Sequence, residues 1–237
     1  MEKNTLTPEQ AWQKLIELDK VMEEHSLGKK FSTAEKEMTG FLKTIAEEPN
    51  AEAIYLFILE KKDDILQDGD LATIASATKD KPFAEKILTT VMNHPEFRGF
   101  NEDTQISLLA NISLLDAYWQ QGNDFSDDAE VAICNLPNWS ELLTKYISYG
   151  HGLCAKAQKK IFALPKEQTV KVVAKFISGI TEKNHSERSL CNNGLFFLLK
   201  SRPLFDLYVE KMSPFFKEKK YIFPQTIAFV AKRKGWL

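Results

Sequence analysis

Helix start and stop signals follow one another along the whole sequence, and they limit the fold more strongly than any other feature. Thr7-Pro8-Glu9-Gln10 combines an N-cap residue, a proline at the first helical position and a glutamine three residues after the cap. Apolar residues then recur at helical spacing, and Gly28 lies just past the expected end of this helix. Comparable signals continue as far as Pro224, which precedes the last expected helix.

Strand signals are nearly absent from the sequence. No sustained alternation of polar and apolar residues is found, and no Asn-Gly or Asp-Gly pair lies between β-branched runs. The sequence therefore predicts an all-α protein of about 12 helices. We expect stacked antiparallel helix pairs, arranged either as an α-solenoid-like array or as an irregular multi-helix bundle.

Three local predictions concern the starts of individual helices. Ser32 and Glu35 have the spacing of a second capping box. Asp70 is expected to be the N-cap of a short helix. Asn101 is expected to precede one long helix that ends at Gly122.

One stretch of the sequence has the pattern of a helical repeat. Asp70–Ala75 predicts a short helix, a polar turn follows, and Pro82 begins a longer helix that contains Ile87 and Leu88. This stretch resembles a unit of the degenerate HEAT-like or leucine-rich-variant-like helical repeats, which also occur in bacterial effector proteins. The resemblance implies stacked helix pairs with an extended surface, a scaffold that binds protein, and the role of a translocated effector. The irregular spacing of helix starts excludes consensus tetratricopeptide and ankyrin repeats.

The net charge of −2 conceals an uneven distribution of charge along the chain. Residues 1–150 carry 14 Lys and Arg against 27 Asp and Glu, whereas residues 151–237 carry 17 against 6. We predict a single all-α domain over residues 1–237, which can be subdivided into an acidic helical part, 1–125, and a basic helical part, 126–237. An uneven distribution of this kind can attract protein partners of opposite charge.

The basic part supplies the candidate binding surface. Basic residues accompany nine of the 16 phenylalanines there, and this combination can bind nucleic acid or an anionic membrane surface. The alternative interpretation is that these aromatic residues lie in the core and that the lysines are solvated or complement helix dipoles. The candidate residues are Lys156, Lys159, Lys160, Lys171, Lys175, Arg188, Lys217, Lys219, Lys220, Lys232, Arg233 and Lys234.

Cysteine and histidine residues offer the main candidates for chemistry. Cys134, Cys154 and Cys191 are odd in number and widely spaced, which argues against a disulfide framework and for a reducing compartment. With His151 they contain only one close ligand pair, so we predict no metal site. Cys154 or Cys191 could pair with His151 or His185 as nucleophile and base, but ordinary core cysteines explain the pattern better.

No motif in the sequence calls for a cofactor or a catalytic group. Phosphate-binding loops, the H-E-x-x-H metalloprotease motif and the G-x-S-x-G nucleophile motif are all missing. The start of the sequence lacks the apolar region of a secretory signal, and the apolar runs are too short to span a membrane. We therefore expect a cytoplasmic protein without integral membrane association, and secretion by a non-classical route stays open.

These observations favour a non-enzymatic protein–protein interaction module with an extended helical surface. The alternative is a helical protein that binds nucleic acid through its basic C-terminal helices. An enzyme that acts on a small molecule or by hydrolysis is a third and less supported class. The oligomeric state is left open.

Overall fold

The structure is a computed structural model that describes residues 5–25, 28–61, 65–184, 189–216 and 222–237. Within these residues the chain forms fourteen α-helices and a 3-10 turn at Ser213–Phe215, and it forms no strand. The all-α prediction is therefore confirmed. The helices are α1 (Pro8–Glu24), α2 (Lys29–Ile45), α3 (Ala51–Glu60), α4 (Asp68–Thr78), α5 (Ala84–Met92), α6 (Glu102–Leu108), α7 (Ile112–Gln120), α8 (Asp127–Ile133), α9 (Trp139–Ser148), α10 (Ala155–Ile161), α11 (Lys166–Ser178), α12 (Asn192–Leu198), α13 (Arg202–Met212) and α14 (Gln225–Arg233).

Helix α1 begins as the sequence predicts, but α2 and α4 do not. The Gln10 backbone N–H donates to Thr7 Oγ1 at 3.2 Å, and Gln10 Oε1 accepts from the Thr7 N–H at 2.9 Å. Ser32 lies inside the first turn of α2, because that helix already begins after Gly28, whose φ is 109°. Asp70 is the third residue of α4, and its carboxylate accepts from the backbone N–H of the true cap, Gln67, at 3.1 Å.

The single long helix predicted between Asn101 and Gly122 is two helices, α6 and α7. Asn111 ends the first with a backbone hydrogen bond to Leu108 O at 2.8 Å. Its side chain then accepts from the Leu114 N–H at 3.2 Å, which is the bond of an N-cap. Breaks of this kind explain why the structure contains more helices than the roughly twelve expected.

The chain divides into two compact units, Met1–Tyr118 and Trp119–Leu237. The boundary falls inside α7 and lies N-terminal to the subdivision expected after residue 125. Residues 1–118 carry 13 Lys and Arg against 22 Asp and Glu, a net charge of −9. Residues 119–237 carry 18 against 11, a net charge of +7, so the two units have opposite charge.

The first unit contains two rows of packed helices. Helix α3 packs against α1 and α5, while α4 packs against α2 and α6. Contacts between α1 and α2 and between α4 and α5 join the two rows. Their shared interior buries residues at helical spacing, such as Leu15 in α1, Met38 and Leu42 in α2, and Ile58 in α3.

The second unit has the same kind of packing. Helix α10 packs against α8 and α12. We call these three helices, together with α14, the short-helix row. Helix α14 is joined to the end of α12, because Lys234 Nζ donates to Leu199 O at 2.8 Å. Helix α11 packs against α9 and α13, and these three form the long-helix row. Trp119, Tyr146, Phe176 and Phe205 are almost fully buried in this unit.

Candidate functional site

The short helices of the second unit begin in a repeated way. Ser126 Oγ accepts from the Ala129 N–H at 3.2 Å at the start of α8. Cys154 Sγ accepts from the Ala157 N–H at 3.3 Å at the start of α10. Cys154 is therefore an N-cap whose sulfur stands where the preceding helix has a serine oxygen.

Buried polar side chains connect α8 with α10 and α10 with α12. Glu130 Oε2 accepts from the Cys154 N–H at 2.7 Å, and Gln158 Oε1 accepts from the Cys191 N–H at 2.8 Å. Glu130 and Gln158 are the fourth residues after the caps of α8 and α10, so equivalent positions make equivalent bonds. Burial raises the pKa of the Glu130 carboxyl to about 7 despite the bond from Cys154. These bonds set the register between neighbouring short helices.

His151 occupies a buried position beside these caps. Its Nδ1 lies 2.6 Å from Asp124 Oδ1, its Nε2 lies 3.2 Å from Trp119 O, and its ring stacks on Tyr146 with centroids 4.5 Å apart. The hydrogen bond to His151 holds the pKa of the Asp124 carboxyl below its usual value. Both ring nitrogens of His151 are thus engaged in holding the Gly150–Gly152 segment against the unit.

This arrangement does not support Cys154 as a nucleophile. Burial, followed by the nearby Glu130 carboxylate, raises the pKa of the Cys154 thiol to about 12, so the reactive thiolate does not form at neutral pH. All three cysteines are free thiols. In the described part of the chain, no group of three or more His, Cys, Asp or Glu side chains is placed to hold a metal ion. His185 lies outside the described residues.

The candidate basic residues are distributed over both helix rows of the second unit. Lys159 and Lys160 are exposed on α10 in the short-helix row, whereas Lys171 and Lys175 are exposed on α11 in the long-helix row. The described candidates are Lys156, Lys159, Lys160, Lys171, Lys175, Lys232, Arg233 and Lys234; Arg188, Lys217, Lys219 and Lys220 lie outside the described residues.

Several of these cations already interact within the unit. Lys156 Nζ lies 3.3 Å from Asp128 Oδ1, and Lys171 Nζ lies 4.0 Å from Glu167 Oε1. Lys234 donates to Leu199 O and lies over the Trp236 ring, 4.7 Å from its centroid. The described members of the predicted basic set are thus spread over two helix rows, and three of them interact within the unit.

Lys171 and Lys175 instead line a groove between α9 and α11 of about 510 Å³. The α9 side of the groove contributes Ser140, Thr144 and Lys145. Glu141 also lines the groove, so its lining carries both signs of charge.

Two phenylalanines on the short helices are exposed, whereas the sequence left open whether the aromatic residues of the basic part lie in the core or on a binding surface. Phe196 is 48% exposed and Phe229 is 61% exposed, and each is the fifth residue after the N-cap of its helix. Val131 in α8 and Lys159 in α10 occupy the same position. We call Val131, Lys159, Phe196 and Phe229 the fifth-position row.

Cations accompany both exposed phenylalanines. The fourth residue after Phe196 is Lys200 and the fourth after Phe229 is Arg233, and both cations are exposed. The Arg233 guanidinium lies 5.5 Å from the centroid of the Phe229 ring. The row therefore presents large apolar groups together with positive charge. Counting residues from each N-cap is the one sequence signal that could have identified this row. Helical periodicity alone does not distinguish exposed Phe196 from buried Phe197.

Comparison of the chain with known protein families, with curated proteins and with solved structures finds no match. None of the described helices has the length and apolar character needed to cross a membrane.

Proposed function

We propose that the protein is a non-enzymatic module that binds a partner protein through the fifth-position row of its second unit. The observation that carries the proposal is the exposure of Phe196 and Phe229 at equivalent positions of two joined helices. Large aromatic side chains are among the residues that contribute most to binding energy when they become buried at an interface.

The chemistry of the partner follows from the cations beside the row. Lys159, Lys200 and Arg233 are exposed, and none of them has a carboxylate within ion-pair distance in the described structure. A partner surface with apolar side chains surrounded by Asp and Glu would complement both the aromatic rings and the charge. Arg233 would stay on its ring and offer guanidinium N–H groups to a carboxylate.

The non-enzymatic part of the proposal rests on the roles of the polar side chains. His151 and Cys154, the one close pair of reactive residue types in the sequence, hold a loop and cap a helix. The proposal also retains the repeat interpretation, since equivalent caps and equivalent buried polar residues recur in α8 and α10. A translocated effector remains a proposal that rests on the resemblance of Asp70–Leu88 to effector repeats.

Matched variants test this function. We expect Phe196→Ser with Phe229→Ser to lose proteins that the wild-type chain retains in affinity capture, with direct binding of the purified partner reduced at least about tenfold. Ile106→Ser with Ile112→Ser is the control, because Ile106 and Ile112 are exposed apolar residues of other helices. Capture of the same proteins by all three baits would overturn the proposal.

Nucleic-acid binding is the second candidate, favoured by the pairing of an exposed ring with a cation at Phe229 and Arg233. It predicts binding of an oligothymidine strand that weakens steeply with salt and is reduced by Phe229→Ser. Fluorescence anisotropy at low and physiological salt measures this binding. Absence of binding at low salt would eliminate this candidate and leave the protein-binding proposal intact.

A further inference from the structure

The first unit contains a separate cavity of about 600 Å³ between α1, α2 and α4. Its walls include Met22 of α1, Phe31 and Met38 of α2, and Ile65 just before α4. Met38 is buried, while the other three are partly exposed to the cavity and the solvent. Methionine and aromatic walls of this kind suit a flexible aliphatic ligand, because thioether side chains adapt their rotamers to the surface they meet.

Four carboxylates surround this apolar floor. Asp19 and Glu23 lie four residues apart on one face of α1, Glu35 lies on α2, and Asp70 lies in the first turn of α4. In the described structure no Lys or Arg forms an ion pair with any of the four, and no Lys or Arg is among the described residues that line the cavity. We call this cavity the acid-rimmed pocket.

The carboxylates act on one another across the pocket. Burial, and then the charge of Glu23, raises the pKa of the Asp19 carboxyl above its usual value. Burial also raises the pKa of the Asp70 carboxyl. The hydrogen bond from the Gln67 N–H lowers that pKa, whereas the charges of Asp19 and Glu35 raise it further. Three helices thus bring like charges together at a cost in folding free energy, and a cation placed among them would relieve that cost.

We propose that the acid-rimmed pocket binds a basic segment of a partner protein by accepting a Lys or Arg side chain. The aliphatic stem of that side chain would lie along Met22, Phe31 and Met38, and its charged end would reach the carboxylates of the rim. Apolar residues next to the Lys or Arg in the partner would cover the rest of the floor, since the cavity is larger than one extended side chain. The charge of the rim and the apolar floor together select this occupant over an acidic or a purely apolar segment.

This site lies in a different unit from the fifth-position row and differs from it in charge. The proposal therefore does not depend on the function proposed above. Loss of one binding activity leaves the other measurable on the same purified chain.

The test is a calorimetric titration of the full chain with a synthetic peptide centred on Leu-Arg-Leu-Lys-Met, which we call the basic peptide. Its neutral counterpart has Gln in place of Arg and Lys. We expect the wild-type chain to bind the basic peptide and not the neutral one. Asp19→Asn with Glu35→Gln should weaken binding of the basic peptide at least about tenfold, because two of the charge contacts with the peptide are lost.

The matched control is Glu17→Gln with Glu37→Gln. These residues lie on the same two helices, are exposed and do not line the acid-rimmed pocket, so the control removes the same net charge. It should bind the basic peptide as the wild type does. In thermal unfolding, only Asp19→Asn with Glu35→Gln should raise the melting temperature, because only those changes relieve the repulsion in the pocket.

Four results would overturn the proposal. The first is that the wild type does not bind the basic peptide, and the second is that the control variant binds it as weakly as Asp19→Asn with Glu35→Gln does. The third is that the wild type binds free spermidine as tightly as the basic peptide. The fourth is self-association in sedimentation velocity that disappears in Asp19→Asn with Glu35→Gln, which would assign the pocket to a second copy of the chain. The proposal is supported if the wild type and the control bind the basic peptide, Asp19→Asn with Glu35→Gln binds it more weakly, and none of the four results is found.

Discussion

The two units share a packing scheme but differ in what they present to solvent. In Met1–Tyr118, carboxylates surround a recess with an apolar floor. In Trp119–Leu237, exposed phenylalanines stand beside cations along successive short helices. Since both units use two rows of helices, the packing of apolar faces does not determine the binding chemistry. In the two proposals it is the residues facing away from the core that distinguish the partners, while the helices determine how those residues are spaced.

Helix α4 of the first unit differs from α8 and α10 of the second in the fourth residue after the cap. In α4 the fourth residue after the cap is Leu71, a fully buried apolar side chain. In α8 and α10 the same position holds Glu130 and Gln158, which bond directly to the next cap. An apolar contact tolerates small shifts between helices, whereas a hydrogen bond to a defined backbone N–H does not. The bonds of Glu130 and Gln158 therefore fix the register of α8, α10 and α12. In the first unit α6 also has a buried polar residue at this position, Gln105, whose Nε2 donates to Phe100 O at 2.8 Å.

The largest expected effect comes from breaking this register at Gln158. Gln158→Leu gives α10 a leucine at the position that Leu71 occupies in α4. The change removes the side-chain hydrogen bonds of Gln158 to Leu153 O, Ser189 O and the Cys191 N–H. We expect the free energy of unfolding to fall by about 2–4 kcal/mol. Urea unfolding followed by tryptophan fluorescence measures this, because three of the four tryptophans lie in residues 119–237.

Gln168→Leu is the control for this change. Gln168 is exposed on α11, so its replacement should alter the free energy of unfolding by no more than about 0.5 kcal/mol. Equal losses in the two variants would contradict the role given to Gln158.

A smaller effect that depends on pH is expected from Glu130→Gln, which makes α8 resemble α10. In the folded state the pKa of Glu130 is raised from 4.5 to about 7, so ionisation of this carboxyl lowers the free energy of unfolding. The full loss of stability is reached only above pH 7. The variant should match the wild type near pH 4.5 and exceed its free energy of unfolding by roughly 2–3 kcal/mol at pH 8.

Urea unfolding at several pH values gives this difference directly. The lowered pKa of Asp124 acts in the opposite direction, since the stability it contributes is lost as the pH falls, but it is common to both proteins and cancels. Exposed Glu141→Gln should show no such difference between the two pH values. A constant difference at every pH would show that the burial of the Glu130 charge is not what separates the two proteins.

The smallest effects are expected at the cap of α10. Cys154→Ser keeps an acceptor for the Ala157 N–H and should change the free energy of unfolding by less than about 0.5 kcal/mol, whereas Cys154→Ala should cost about 1 kcal/mol. Thermal unfolding of the two variants side by side provides the measurement. A loss in Cys154→Ser as large as that in Cys154→Ala would contradict the capping role.

Local signals made much of the fold predictable. The capping box at Thr7 follows from spacing alone, and the structure confirms it. The longer helix expected from Pro82 was wrong in its start and its length: α5 begins at Ala84 and has nine residues, fewer than the eleven of α4. The break at Asn111 was missed because apolar spacing continues across it and only the side-chain bond to the Leu114 N–H ends the first helix.

The candidate sites were harder to predict because they depend on contacts between helices. Cysteine is an uncommon N-cap, so nothing in the local sequence at Cys154 indicated that role. Asp19, Glu35 and Asp70 are distant in sequence, and only the packing of α1, α2 and α4 brings them around one cavity. The exposure of Phe196 depends on the register with α10, which the bond between Gln158 and Cys191 sets.

One crossed titration tests most directly whether the two units bind partners of opposite charge. The basic peptide and an acidic peptide centred on Leu-Glu-Leu-Asp-Met are titrated into the wild type, Asp19→Asn with Glu35→Gln, and Phe196→Ser with Phe229→Ser. We predict that the pocket variant loses only the basic peptide and that the phenylalanine variant loses only the acidic peptide. Loss of both peptides in one variant, or equal binding of both in all three proteins, would contradict the assignment of opposite partners to the two units.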